Sequence, residues 1–116
     1  MSWLYDLTKT PRRIGGEVIG ALGAGSTYIS GFYFVVPGAR KLSVLVSQTS
    51  SEPLDIWIGW FGRISPTDAV LIWEQIASGV TELSKTIDVK SNIFYFSVKN
   101  TGTADTSDLK YCLFGV

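Results

Sequence analysis

Acid–base catalysis and hydrolytic metal sites need carboxylates, imidazoles or thiolates gathered at short range. In this sequence Asp55, Asp68, Glu74, Glu82, Asp88, Asp105 and Asp108 are dispersed along the chain. None falls in the Asp-x-Asp-x-Asp-Gly spacing of a calcium loop. Asp105 and Asp108 share one segment, where a weak cation site and a solvated acidic loop are the alternatives. Two carboxylates across a sheet can hydrolyse glycosides, but no spacing here singles out a pair. The chain has no histidine and a single cysteine, Cys112. The commonest general base and metal ligand are therefore missing, a Ser-His-Asp triad is impossible, and no internal disulfide can form. Cys112 sits among Tyr111, Leu113 and Phe114, which reads as a buried, inert thiol. Gly20-Ala21-Leu22-Gly23-Ala24-Gly25 lacks both the spacing of a dinucleotide fingerprint and the Lys-Ser/Thr ending of a phosphate loop. The expectation is a protein without catalytic residues, cofactor or bound metal.

Aromatic side chains are the enriched resource. Trp57, Trp60, Phe61 and Trp73 cluster mid-sequence, the first three within Leu54-Asp55-Ile56-Trp57-Ile58-Gly59-Trp60-Phe61. Read with a period of two, that stretch is a strand with Leu54, Ile56, Ile58 and Trp60 on one face. Its other face carries Asp55, Trp57, Gly59 and Phe61. Burying Trp57 or Phe61 is worth roughly 1.5–3 kcal/mol each, much apolar surface to leave wet. Trp57 and Phe61 are thus candidate interface residues, and packing within the domain is the alternative. An exposed tryptophan platform also serves sugar stacking, an apolar ring face with polar neighbours.

The elements that must position these residues are strands. Thr27–Val36 is rich in aromatic and β-branched residues, with Gly31 as a candidate bulge, and Pro37-Gly38 makes a turn. Lys41–Gln48 alternates, with Leu42, Val44 and Val46 inward. Over Ala69–Ala77 two readings compete. Ser65-Pro66-Thr67-Asp68 resembles a helix start and Gly79 a helix stop, yet Val70-Leu71-Ile72-Trp73 is strand-like. A strand is the expectation, with a short helix as alternative. Further strands are expected over Val80–Val89, Asn92–Lys99 and Leu109–Val116. Six or seven strands about ten residues apart predict an all-β fold, an antiparallel sandwich or jelly roll over residues 26–116.

Residues 1–25 read as an extended N-terminal arm. Trp3, Leu4 and Tyr5 form an apolar head, Arg12 and Arg13 follow, and a glycine-rich run continues from Gly15 to Gly25. The arginine pair superficially resembles an export signal, but Glu17 interrupts the apolar region such a signal needs. Trp3, Leu4, Tyr5, Arg12 and Arg13 are therefore read as contacts to another chain, with an arm packed on its own domain as the alternative. Ten basic and ten acidic residues are scattered along the 116-residue chain. That balance argues against an electrostatic grip on nucleic acid. No apolar run approaches the roughly 20 residues of a membrane-spanning helix. Only 17% of residues are charged while 46% are apolar, so either the core is well filled or part of the surface is hidden in an assembly.

Phe34-Val35-Val36-Pro37-Gly38 leads into Lys41-Leu42-Ser43-Val44-Leu45-Val46, and Phe94-Tyr95-Phe96-Ser97-Val98-Lys99 ends in an Asn100 turn. In these features the run Thr27–Val116 resembles the small β-sandwich modules of tailed-phage virion proteins, capsid decoration and tail or fibre components. The resemblance implies jelly-roll-like topology, a virion location and a structural, non-enzymatic role. Its implied partners are other copies of the chain, as a homo-oligomer, and other virion proteins. The alternative is a carbohydrate-binding, lectin-like module whose partner is a glycan.

Overall fold

The computed structural model describes residues 11–116. Eight strands account for the regular structure: β1 (Arg12–Gly20), β2 (Thr27–Phe34), β3 (Lys41–Ser47), β4 (Leu54–Arg63), β5 (Ala69–Val80), β6 (Leu83–Asp88), β7 (Ile93–Asn100) and β8 (Leu109–Gly115). They form two four-stranded sheets, in the orders β1-β8-β3-β6 and β2-β7-β4-β5, with antiparallel neighbours throughout. The pairs β1–β8, β2–β7, β3–β6 and β4–β5 are those of one long antiparallel ribbon folded at the β4–β5 turn and rolled up. That winding is a jelly roll. The expected all-β sandwich is what the chain forms.

Alternation builds the core. Leu42, Val44 and Val46 of β3 and Leu109, Tyr111 and Leu113 of β8 face inward from one sheet. Leu54, Ile56, Ile58 and Trp60 of β4 and Phe94, Phe96 and Val98 of β7 face inward from the other, and all these side chains are buried. Phe96 and Tyr111 stack across the gap, with ring centroids 4.0 Å apart. The side chain of Cys112 points the other way from Tyr111 and Leu113, as strand alternation requires. It is half-buried on the outer face and not in the core, which corrects the expectation of a buried thiol.

Within the reading of residues 1–25 as an arm, the part from Arg12 to Gly20 is corrected. Arg12–Gly20 is an edge strand paired from Arg12↔Gly115 to Gly20↔Leu109. Two of its glycines, Gly15 and Gly16, serve close approach. A Cβ on Gly15 would lie 2.3 Å from the Tyr33 ring, and one on Gly16 would lie 2.4 Å from the Tyr111 carbonyl oxygen. At these two positions β1 packs where larger residues would clash. Trp3, Leu4 and Tyr5 lie outside the described residues.

Side chains close the two open sides of the sandwich. Between β1 and β2, the Tyr28 hydroxyl donates to Glu17, and the Tyr33 and Tyr111 hydroxyls meet at 2.6 Å. On the β5 and β6 side, Trp60 Nε1 of β4 donates to Glu74 Oε1 of β5 at 2.9 Å, and Lys90 Nζ, just past β6, reaches the same oxygen at 2.7 Å. Lys90, and then Trp60, hold the Glu74 carboxyl below its ordinary pKa. At one end, Asn100 is fully buried, donating to the carbonyls of Leu22 and Ala104 and accepting from the Gly102 N–H. Thr106 adds bonds to Leu22 and Gly20, so the β1–β2 and β7–β8 connections are clamped together.

Candidate functional site

The face of β4 opposite the core belongs to a continuous apolar surface spread over all four strands of its sheet. Register sets it out in rows. Phe34, Ile93, Phe61 and Leu71 are cross-strand neighbours in the first, and Phe32, Tyr95, Gly59 and Trp73 in the second. The third runs Ile29, Ser97, Trp57 and Gln75. No charged residue occurs in these rows. Lys99 and Asp55 follow only at their border, opposite each other on β7 and β4.

The rings make a connected layer around Tyr95. Phe32, Phe61 and Trp73 lie 6.5, 6.3 and 6.4 Å from it between centroids, and Phe34 meets Phe32 edge-on at 5.4 Å. Gly59 makes room beneath Trp73, since a Cβ there would stand 2.8 Å from the indole. The indole thus packs over the backbone of Gly59. Edge residues of the layer are well exposed: Phe34 is 62% accessible, Phe32 56% and Ile29 57%.

Trp57 and Phe61 therefore point away from the core, as period-two reading of β4 requires, and both are half-buried among their neighbours. The structure brings them together with Trp73, already grouped with them in sequence, and with Phe32, Phe34, Tyr95 and Leu71, which sequence reasoning had not joined to the site. For Tyr95 and Ile93 the signal was present in the alternation of β7. For β2 it was obscured. Ile29 and Phe32 share a face only because a bulge at Ser30-Gly31 sets three residues of β2 against two of β7. Ser30 Oγ accepts the Phe96 N–H at 2.9 Å and fixes that bulge.

Arg12 and Arg13 lie on the other sheet, away from this face. Arg12 Nη2 donates to the Pro37 carbonyl at 2.7 Å, a contact within the domain. Arg13 is exposed at the rim of an open groove of about 620 Å³ on the outer face of the first sheet, with Glu17, Leu45, Lys110 and Cys112. Ser107-Asp108-Leu109-Lys110 has the spacing of a Ser-x-x-Lys nucleophile, which relies on a helix to put both residues on one face. Here Lys110 lies in a strand and its Nζ pairs with Asp108 at 3.3 Å.

Tyr28, Tyr33 and Tyr111 form the densest cluster of titratable groups. Burial, then its hydrogen bonds with Tyr28 and Tyr33, push the Tyr111 phenol far above its ordinary pKa. Burial, then Glu17, raise that of Tyr28. Such phenols stay protonated and serve as hydrogen-bonding struts between the sheets.

No protein-family model matches the chain, and a search of curated proteins gives no significant match.

Proposed function

We propose that this protein is a non-enzymatic structural subunit of a larger protein assembly, docked through the aromatic outer face of the β2-β7-β4-β5 sheet. The observation that carries the reading is the uncharged, ring-lined surface running unbroken across four strands. A monomer rarely leaves so large an apolar patch to water. Buried aromatics with charge kept to the border are also how protein interfaces are built. The partner that fits is a second protein offering an uncharged, apolar surface, since an isolated charge set against these rows would lose its hydration unpaired. A sugar requires hydrogen-bond donors and acceptors beside the ring it stacks on. In the two most aromatic rows the side-chain polar groups are the Tyr95 hydroxyl and the Trp73 indole N–H, a sparse set that favours a protein partner over a glycan.

The assembly we have in mind is a virion. Jelly rolls occur among viral capsid domains, although they also occur in lectins and cupins. The sequence features shared with tailed-phage modules favour the first. Mass spectrometry of purified particles from the producing culture should find the chain at a fixed ratio to the major protein. A folded Phe61→Ser variant should fail to incorporate. Particles free of the chain would refute the virion location. Normal incorporation of the variant would refute docking through this face. Specific binding to a glycan array by a monomer, lost in Tyr95→Ala, would instead establish the lectin-like alternative.

A further inference from the structure

Four strands lie at sheet edges, and three of them carry devices that discourage pairing with another chain. β1 has Arg12, Arg13 and Glu17 and two bulges; β2 has the Ser30-Gly31 bulge; β6 is six residues long and carries Lys85 and Asp88. β5 is twelve residues long, and its two halves differ. In the C-terminal half, bulges disturb the ladder with β4. There Lys85 Nζ takes the Ile76 carbonyl at 2.8 Å, Gln75 Nε2 takes that of Ala77 at 3.2 Å, and the Gly79 N–H is bound by Asp55. The N-terminal half has none of this. Ala69–Glu74 pairs with β4 without interruption from Arg63↔Ala69 to Ile58↔Glu74. Among the described residues, no side chain bonds to its backbone. From Ala69 to Trp73 it is also apolar on both faces, and both are open; Glu74 at its end is tied to Trp60 and Lys90. Leu71 and Trp73 lie on the aromatic side, Val70 and Ile72 on the other, and Ile72 is 63% exposed.

We propose that this half-strand is a self-pairing edge. Two copies of the chain join Ala69–Glu74 antiparallel about a two-fold axis and merge their β2-β7-β4-β5 sheets into one. The occupant follows from what the edge demands. An incoming strand must satisfy a row of backbone groups and be apolar on both faces over about five residues, which β5 itself is. A two-fold axis normal to the sheet keeps each face on its own side, so only residues of like parity can oppose one another. Centring the axis on Leu71 would set Asp68 against Glu74, two like charges. Centring it on Ile72 opposes Glu74 with Val70 and Asp68 with Ile76, and faces Leu71 with Trp73 of the second copy on the aromatic side. Charge thus selects the register centred on Ile72. The result is a doubled aromatic face looking in one direction. Use of that doubled face rests on the assembly reading above; the edge pairing itself does not.

Sedimentation of the full chain over a concentration series should show a dimer. Ile72→Lys and Ile72→Glu should each weaken it by about a hundredfold or more, because like charges then meet at the axis. Mixing the two variants should restore a dimer. Phe34→Ser, on the far edge of the same sheet, should leave dimerisation unchanged. In a Cys112→Ser background, Ile72→Cys should cross-link to its mate on oxidation. A wild-type chain that stays monomeric overturns the proposal, as does an Ile72→Lys chain that dimerises normally. A dimer abolished by Phe34→Ser would also overturn it, placing the contact on the aromatic face. Normal dimerisation with no incorporation into particles would leave the edge pairing standing and refute the virion reading alone.

Discussion

Trp57 and Trp60 stand on one strand and meet opposite surroundings. Trp60 is buried between the sheets, beside Phe94 and bonded to Glu74. Trp57 lies on the outer face between Ser97 and Gln75. Trp60→Ala should cost about 3–5 kcal/mol of unfolding free energy, the range for aromatic truncation in a core. Trp57→Ser removes a half-exposed ring and should cost about 1 kcal/mol, leaving the melting temperature within a few degrees of wild type. Urea titrations of both variants check the contrast, and equal large losses would reverse the assignment of faces. A second prediction concerns Tyr111. Its ordinary pKa is 10.0 and the folded environment raises it. Above that value the unfolded chain loses a proton that the folded chain keeps, so the unfolded state is favoured. The stability contributed by this phenol is complete below pH 10 and falls as pH rises beyond it. Tyr111→Phe should be less stable than wild type near neutrality, having lost its hydrogen bonds, yet should decline less steeply above pH 10. Parallel slopes in the two proteins would exclude Tyr111 as the source.

Among the elements, the end of β7 carries the heaviest polar burden. Asn100 serves two carbonyls and one N–H from connections remote in sequence, with no exposure to water. Asn100→Leu keeps much of the volume but strands those partners, at about 1–3 kcal/mol for each one that water cannot reach. A loss of at least about 2 kcal/mol in chemical denaturation is expected, and a change under about 0.5 kcal/mol would show that the connections re-form their bonds elsewhere. β5 illustrates competing local signals. Ser65 Oγ does accept the N–H groups of Thr67 and Asp68, as a helix start would. The chain nonetheless leaves that turn as a strand, because β4 supplies a ladder for Ala69–Glu74 while an isolated short helix is marginal in water.

For the whole molecule, the rolled ribbon places β8 and β3 inside one sheet and β7 and β4 inside the other. Amides of these strands are bonded on both sides and lie against the core, so they should exchange most slowly with deuterated solvent. β1 and β6 should exchange faster. In β5, the amides of Ala69–Glu74 that point away from β4 should gain protection only at concentrations where the chain dimerises. Mass-resolved exchange at two protein concentrations measures this directly, and concentration-independent protection there would contradict self-pairing.

Alternation alone determined much of this protein. Period two in Leu54–Phe61 set Leu54, Ile56, Ile58 and Trp60 apart from Trp57 and Phe61 as the structure does, because a pleated strand leaves no freedom in that choice. The absence of histidine and the scatter of carboxylates, likewise plain in the composition, directed attention to the aromatics. Three things waited for the tertiary structure. The glycines of β1 looked like slack, since a sequence does not show that Tyr33 and the Tyr111 carbonyl occupy the space a side chain would need. The bulge in β2 shifts phase by one residue, so period-two reading cannot carry Ile29 and Phe32 to the same face. The aromatic layer gathers residues from four strands that are adjacent only through long-range pairing, and strand order depends on how the ribbon rolls.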